Sequence, residues 1–159
     1  MKKFFLNLFV LTGLVLSTAC SSDDDGGNGG GASDELVVTI DGQTITFNSI
    51  IVDEDTFTDD GDTYTELDVT ATINGDSTRV IQFGLEAGDT GADAVYYFEY
   101  TVEGETYFYG FDNSFSSVVS INDGSRLTMT FSGTLYGYDS ESEESVELML
   151  QNGTIDVVY

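Results

Sequence analysis

The most unusual chemistry in this sequence lies in an aromatic run between residues 96 and 111. It reads Tyr-Tyr-Phe-Glu-Tyr at positions 96–100 and Tyr-Phe-Tyr-Gly-Phe at positions 107–111. If Glu103-Gly104 forms a two-residue hairpin turn, Tyr100 lies opposite Tyr107. One face of the hairpin then carries six rings, and the other face carries Tyr97 and Phe108. The six rings are those of Tyr96, Phe98, Tyr100, Tyr107, Tyr109 and Phe111.

Two interpretations of this hairpin follow from the sequence. The six-ring face can belong to the core, or it can be an exposed platform on which sugar rings or a partner's apolar groups stack. Tyrosine suits both, because its ring packs while its hydroxyl stays in contact with water. Strand alternation does not decide which face is covered. The candidate ligand-contacting residues are therefore Tyr97, Phe108, Tyr96, Tyr100, Tyr107 and Tyr109.

Acidic residues form a second candidate site between positions 53 and 62. Carboxylate oxygens on a loop suit Ca²⁺, which takes oxygen ligands. The spacing departs from that of an EF-hand loop, since placing Gly61 sixth puts Thr56 and Thr58 where acids belong. We therefore favour a solvated loop between two strands, with calcium as the alternative. The candidate metal ligands are Asp53, Asp55, Asp59, Asp60 and Asp62.

A second acidic run contains Asp139, Glu141, Glu143, Glu144 and Glu147. Most of these acids occupy odd positions, whereas Val146, Leu148 and Leu150 occupy even ones. Alternation in a strand therefore predicts an outward-facing, solvated acidic face.

The residue types that are missing exclude most catalytic mechanisms. The chain has no histidine, one cysteine, and no lysine after Lys3. It therefore cannot build a Ser-His-Asp or Cys-His arrangement, a Schiff-base lysine, or a zinc site made of imidazole and thiolate groups. The remaining catalytic route is a carboxylate pair of the glycosidase type. We expect a protein without enzyme activity and without a resident cofactor, with a carboxylate-only hydrolase as the minor alternative.

The N-terminal segment has the layout of a secretory signal. Lys2 and Lys3 precede an apolar run over residues 4–16, and the small residues Ser17, Thr18 and Ala19 follow. The apolar run is shorter than the roughly 18 residues typical of a membrane-spanning helix. We predict a signal peptide over residues 1–19.

Cys20 gives this signal its specific form. The sequence Ser17-Thr18-Ala19-Cys20 resembles a bacterial lipobox, in which the cysteine is acylated and becomes the new N-terminus. The resemblance implies a lipoprotein whose first partner is a lipid membrane, reached through Cys20. The following Ser-Ser-Asp-Asp-Asp resembles the start of surface-exposed Bacteroidota lipoproteins, which implies an outer-membrane, cell-surface location. Orientation toward the periplasm is the alternative.

Residues 20–34 read as a flexible tether, because Asp, Gly and Ser offer no apolar surface to bury. Removal of residues 1–19 leaves Arg79 and Arg126 as the cations against 29 carboxylates, a formal charge of −27. Such a field repels phosphate backbones, so nucleic acid is excluded as a partner.

Residues 35–159 alternate apolar and polar side chains almost throughout, as in Leu67, Val69, Ala71 and Ile73. Six Asx-Gly or Glu-Gly pairs separate the runs. They are Asp41-Gly42, Asp60-Gly61, Asn74-Gly75, Glu103-Gly104, Asp123-Gly124 and Asn152-Gly153. This pattern predicts one all-β domain, an antiparallel β-sandwich or barrel of about nine or ten strands arranged as a hairpin meander.

The body also resembles a group of small all-β Bacteroidota lipoproteins. The resemblance rests on an opening strand pair over residues 38–47 and a closing pair over 127–135 and 146–159. It supports the fold and brings no catalytic residues with it. We therefore expect a non-catalytic surface interaction or accessory module that contacts a glycan or an envelope protein. The alternative is a carbohydrate-binding module that uses the 96–111 hairpin, supported by Ca²⁺.

Overall fold

The computed structural model describes residues 33–92, 94–109, 114–139 and 144–159. The predicted signal peptide, Cys20 and most of the tether lie outside these residues. Within the described ranges the chain forms ten strands and no helix, so no helix there could cross a membrane. The strands are β1 (Glu35–Ile40), β2 (Gln43–Phe47), β3 (Ser49–Asp59), β4 (Asp62–Ile73), β5 (Asp76–Glu86), β6 (Val95–Val102), β7 (Glu105–Tyr109), β8 (Phe115–Asn122), β9 (Arg126–Asp139) and β10 (Glu144–Val158).

All ten strands belong to one antiparallel sheet that curls into a half-barrel, which confirms the predicted fold class. The order is β2-β1-β10-β9-β7-β6-β5-β4-β3, with β8 also paired to β9. Strands β3 to β7 form the predicted meander. The order departs from a meander at β1, which lies between β2 and the last strand, β10.

Four of the predicted turns are tight hairpin turns with both central residues at positive φ. They are Asp41-Gly42, Asp60-Gly61, Asn74-Gly75 and Glu103-Gly104. A two-residue turn of this kind matches the right-handed twist of the strands that it joins. At Asp123-Gly124 only the glycine has a positive φ. There Asp123 Oδ1 closes the turn by accepting hydrogen bonds from the backbone N–H groups of Ser125 and Arg126.

The sixth pair, Asn152-Gly153, is not a turn, and the prediction was wrong at this position. Strand β10 runs through both residues, and its register against β9 shifts between Leu150 and Gly153. Asn152 has a φ of 53°, so the pair forms a β-bulge in a continuous strand. The same residue preference serves both structures, because this bulge, like a tight hairpin turn, uses a residue with positive φ.

The core lies on the inner face of the curled sheet and follows the predicted alternation. In β4, Leu67, Val69 and Ala71 are buried, and in β9 Leu127, Met129 and Leu135 are buried. These residues belong to one cluster that receives side chains from both halves of the sheet. The edge-on contact between Phe47 of β2 and Tyr100 of β6, with ring centroids 6.4 Å apart, joins the two halves.

Asn48 marks the corner where the chain passes from β2 to β3. Its N–H donates to the carbonyl of Thr72, and its amide exchanges two hydrogen bonds with Asn74. These bonds fix the corner to the β4–β5 turn.

Candidate functional site

The β6–β7 hairpin has the register that its sequence predicts. Tyr100 pairs with Tyr107 and Glu99 pairs with Phe108 around the Glu103-Gly104 turn. The prediction for Phe111 concerns a residue outside the described ranges. The hairpin therefore presents two distinct faces, as expected from alternation along two paired strands.

The inner face of the hairpin belongs to the core. Phe98 is 1 % exposed and Tyr100 is 2 % exposed, while Tyr107 and Tyr109 are half-buried against the same cluster. Tyr109 stacks on Phe115 at 5.6 Å and donates its hydroxyl hydrogen to the carbonyl of Tyr96. The candidate residues Tyr100, Tyr107 and Tyr109 are thus core-packing residues.

Tyr96 does not lie on that inner face, and here the predicted six-ring face is corrected. The register between β5 and β6 shifts so that Gly84 pairs with Tyr97 and Leu85 with Val95. The extra residue in β6 is Tyr96, and the bulge rotates its side chain to the outer face, where it is 45 % exposed. Its ring centroid lies 5.6 Å from that of Tyr97.

Gly84 makes room for these two tyrosines. A Cβ atom at this position would lie 2.8 Å from ring carbons of Tyr96 and would also collide with the ring of Tyr97. Because residue 84 has no side chain, Tyr97 reaches across β5 to β4. There its hydroxyl donates to Asp68 Oδ1 at 2.8 Å.

This environment favours the neutral, protonated form of both tyrosine hydroxyls. Burial, together with the hydrogen bond to Asp68, raises the pKa of Tyr97 far above its ordinary value of 10.0. Burial and the carboxylates of Glu66 and Asp68 raise the pKa of Tyr96. Both hydroxyls, which are neutral at physiological pH in any tyrosine, therefore stay protonated to a higher pH than usual.

Phe108 lies on the outer face of β7 and is 57 % exposed. It pairs with Glu99 of β6 on one side and with Tyr136 of β9 on the other. Together with Tyr96 and Tyr97 it forms what we call the outer aromatic surface, defined by Tyr96, Tyr97 and Phe108. Exposed rings of this size, bordered by carboxylates, are typical of binding surfaces.

Sequence reasoning missed the neighbours of this surface on β9. Tyr138 is 60 % exposed, and Tyr136 lies beside Phe108 on the same face. Alternation with the buried Leu135 was enough to indicate that both tyrosines point outward. What the sequence did not contain was the pairing of β9 with β7, which brings them next to Phe108.

The acidic run between residues 53 and 62 is a hairpin, and the predicted loop was wrong. Strands β3 and β4 continue to Asp59 and Asp62 and are joined by Asp60-Gly61. Alternation puts Asp53, Asp55 and Asp59 on one face but spreads them along β3, with Asp62 opposite Asp59 and Asp60 in the turn. In the described ranges no three acidic, histidine or cysteine side chains converge as a group that could hold a metal ion.

The second acidic run is described in part. Glu144 and Glu147 are exposed on β10, whereas Glu141 and Glu143 lie outside the described residues. Glu147 pairs with Tyr136 and so borders the outer aromatic surface.

Comparisons with known proteins do not indicate a function, so the proposal for this chain rests on the geometry of the site. No protein-family description matches the chain, and neither a curated protein nor a solved structure shows significant similarity to it.

Proposed function

We propose that the chain is a non-catalytic lipoprotein of the cell envelope whose β domain is an interaction module. The observation that carries the proposal is the outer aromatic surface, with Phe108 57 % and Tyr96 45 % exposed on the face of the sheet opposite the hydrophobic core. Removing a large aromatic ring from water lowers the free energy. A folded domain that keeps such rings exposed is therefore suited to bury them against a partner.

The proposed anchor is the lipid on Cys20. Its support is the charged, apolar and small-residue order of positions 1–19 and the cysteine that follows. More than one acyl chain is needed for stable anchoring, and lipoprotein processing supplies several. The acidic residues after Cys20 favour the outer membrane and the cell surface over orientation toward the periplasm.

Anchoring is tested in cells that express the full chain. We expect incorporation of labelled palmitate and recovery in the membrane fraction, both lost in Cys20→Ser. Protease treatment of intact cells should then remove the β domain if it faces outward. Survival of the domain until the outer membrane is opened would instead assign it to the periplasm. A Cys20→Ser protein that keeps label and membrane association would refute the anchor.

The interaction surface is tested with three single variants of the full chain. Phe108→Ala and Tyr96→Ala should each weaken binding of envelope proteins or glycans by about tenfold or more, the loss expected for aromatic hot spots. Val118→Ala is the matched control, because Val118 is 45 % exposed on β8, away from this surface. If Phe108→Ala and Tyr96→Ala bind as well as the Val118→Ala control, the outer aromatic surface is ruled out as the contact site.

A carbohydrate-binding module is the second candidate. The observation in its favour is the pairing of the exposed Phe108 ring with Glu99, since a ring that stacks on a sugar and a carboxylate that accepts from its hydroxyls often act together. A glycan array with the wild-type chain and Phe108→Ala tests it.

Calcium binding has a separate test, a melting midpoint that rises with Ca²⁺ and returns to its original value with a chelator. An unchanged midpoint would remove the calcium component.

A further inference from the structure

Arg79 is a cation without an ion-pair partner among the described residues of a strongly acidic chain. After Lys3 the cationic side chains are Arg79 and Arg126, and Arg126 forms a two-bond ion pair with Asp156. Arg79 lies on β5 and is half-buried. Within the described ranges its guanidinium has no ion-pair or hydrogen-bond partner, although the chain has 29 carboxylates. A guanidinium offers five N–H donors and normally finds acceptors when it is partly buried.

Arg79 lines a cavity of about 290 Å³ at one end of the core. This is the opening between the two halves of the curled sheet, a place where β-barrels commonly bind ligands. The apolar walls come from both halves. They are Ile40, Ile45 and Leu148 on one side, and Val102 with the ring of Tyr100 on the other.

The Tyr100 hydroxyl is a second polar group in this cavity. Tyr100 is 2 % exposed, and its oxygen has no hydrogen-bond partner in the described part of the chain. Among the described residues, every fully buried side-chain oxygen does have a partner. The small exposed area of Tyr100 must therefore include its hydroxyl, which opens into the cavity that the residue lines.

Two carboxylates near this end do not neutralise Arg79. Asp41 also lines the cavity, but its Oδ1 accepts a hydrogen bond from the backbone N–H of Met149. Glu103 lies in the exposed β6–β7 turn. Neither comes within 4.0 Å of the guanidinium, the distance that an ion pair requires.

We propose that this cavity binds a small aliphatic carboxylate. The carboxylate accepts from the guanidinium of Arg79 and from the Tyr100 hydroxyl, and the short alkyl chain packs against Ile40, Ile45 and Val102. Arginine recognises a carboxylate through two parallel N–H···O bonds, which places the head group, while burial of the alkyl chain supplies the apolar contribution. The site is separate from the outer aromatic surface, because Arg79 and Tyr100 lie at the inner face of the sheet.

The test uses ¹⁵N-labelled full-length protein titrated with hexanoate, hexanol and hexylammonium. We expect saturable amide shifts at Arg79, Tyr100 and Val102 with hexanoate, and binding at least about tenfold weaker for the other two compounds, because they lack the charge-assisted hydrogen bonds. Equal shifts with hexanol would show an apolar cleft without selectivity for anions and would overturn the proposal. The absence of saturable shifts with hexanoate would overturn it as well.

Two variants locate the head group. Arg79→Gln should abolish the selectivity for hexanoate over hexanol, and Tyr100→Phe should weaken hexanoate binding while keeping the cavity walls. Unchanged hexanoate affinity in Arg79→Gln would contradict the proposed contact. Since the comparison of the three compounds needs only the wild-type chain, the proposal stays testable even if a variant fails to fold. A negative result here leaves the outer aromatic surface unaffected.

Discussion

At the scale of single residues, the ion pair between Arg126 and Asp156 links β9 to β10 on the outer face. Arg126 Nε and Nη2 each donate to one carboxylate oxygen of Asp156 at 2.7 Å, and Thr128 Oγ1 donates to Oδ1 at 3.2 Å. The hydrogen bonds from Arg126 lower the pKa of Asp156 below its ordinary value of 3.8. Both side chains are partly exposed, so the effect on stability is modest.

This ion pair should make stability depend on pH in the acid range. The pKa of Asp156 is lower in the folded state than in the unfolded state, so its contribution is complete above pH 3.8 and is lost as the pH falls through the folded value. Arg126→Gln should therefore lower the melting midpoint at neutral pH, and the difference from wild type should shrink in acid. A difference that grows as the pH falls would contradict this sign. Midpoints measured by circular dichroism at a series of pH values decide the question.

The hydrogen bond from Tyr97 to Asp68 is the second contact with a direct test. Tyr97→Phe should cost about 0.5–1.5 kcal/mol at neutral pH, the net value of a typical protein hydrogen bond. The raised pKa of Tyr97 means that its contribution is complete below pH 10.0 and is lost as the pH rises above that value. Tyr64→Phe is the control, because the Tyr64 hydroxyl has no partner within the described residues. Equal losses in the two variants, by urea unfolding, would argue against the contact.

Residue-level prediction from sequence succeeded where one strand pair decides the outcome and failed where a third strand does. The Glu103-Gly104 turn alone fixes the pairing of Tyr100 with Tyr107, so that register was predictable. The position of Tyr96 depends on the bulge against β5 and on the space above Gly84. Nothing within residues 96–111 contains that information.

At the scale of elements, Gly133 determines how closely β8 and β9 approach. It has a φ of 145°, and a Cβ atom there would collide with the backbone of Ser114 and Phe115. Since the obstacle is backbone, it cannot move aside as a flexible side chain would. Gly133 thus allows β9 to pair with β8 along one edge and with β10 along the other edge at this position.

We expect Gly133→Ala to destabilise the protein by about 2–4 kcal/mol, the sum of overpacking and an unfavourable φ. Ser132→Ala is the matched control, because Ser132 is exposed on the same strand and should change stability little. Chemical denaturation of the two variants measures the difference. A Gly133→Ala protein as stable as Ser132→Ala would show that the two strands can separate without cost.

Strand positions were largely predictable from alternation and turn residues, as β4 and β9 illustrate. The extent of β3 and β4 toward their predicted Asp60-Gly61 turn was not, because the acidic side chains favour a solvated loop in a local assessment. The hairpin forms because β4 has an inner face with Leu67 and Val69 to bury, and β3 pairs along its whole length with that strand. Tertiary packing of one strand thus overrides the local preference of the other.

At the scale of the whole molecule, charge is unevenly placed across the sheet. The register sets Asp55 against Glu66 and Glu66 against Glu86, so three carboxylates follow one another across β3, β4 and β5. Like charges directly opposite each other in neighbouring strands are destabilising. With a net charge of −25 for the full chain, self-repulsion opposes the compact state.

Stability should therefore rise with salt, because a Debye length of about 10 Å at 0.1 M screens these repulsions. Asp55→Lys should raise the melting midpoint at low ionic strength and make it less sensitive to salt, since it places a cation opposite Glu66. Glu105→Lys makes the same change in charge opposite Val102 and serves as the control. Melting curves in low and moderate NaCl measure both effects. A midpoint that falls with salt in the wild-type chain would contradict the expectation.

The strand order of the sheet was beyond sequence prediction. Hairpin turns specify neighbours that follow each other in the chain, and predicted turn residues join the pairs β1–β2, β3–β4, β4–β5, β6–β7 and β8–β9. The pairs β1–β10 and β7–β9 join strands distant in sequence, and several alternatives would bury the same apolar faces. For this reason the sequence alone does not predict that Phe108 pairs with Tyr136 of β9.

The place of β10 between β1 and β9 also means that the sheet is complete only once β10 has paired with both strands. Glu35 at the start of β1 pairs with Asp156, near the end of the last strand, and Val158 pairs with Arg126. While the chain is being synthesised, β1 and β2 can pair with each other before β10 is available to pair with β1. Among the described strands, the 15-residue β10 is synthesised after the other nine, and it pairs with β1 on one side and β9 on the other. A chain truncated before residue 144 would leave β1 and β9 with open edges, which makes premature termination a route to aggregation.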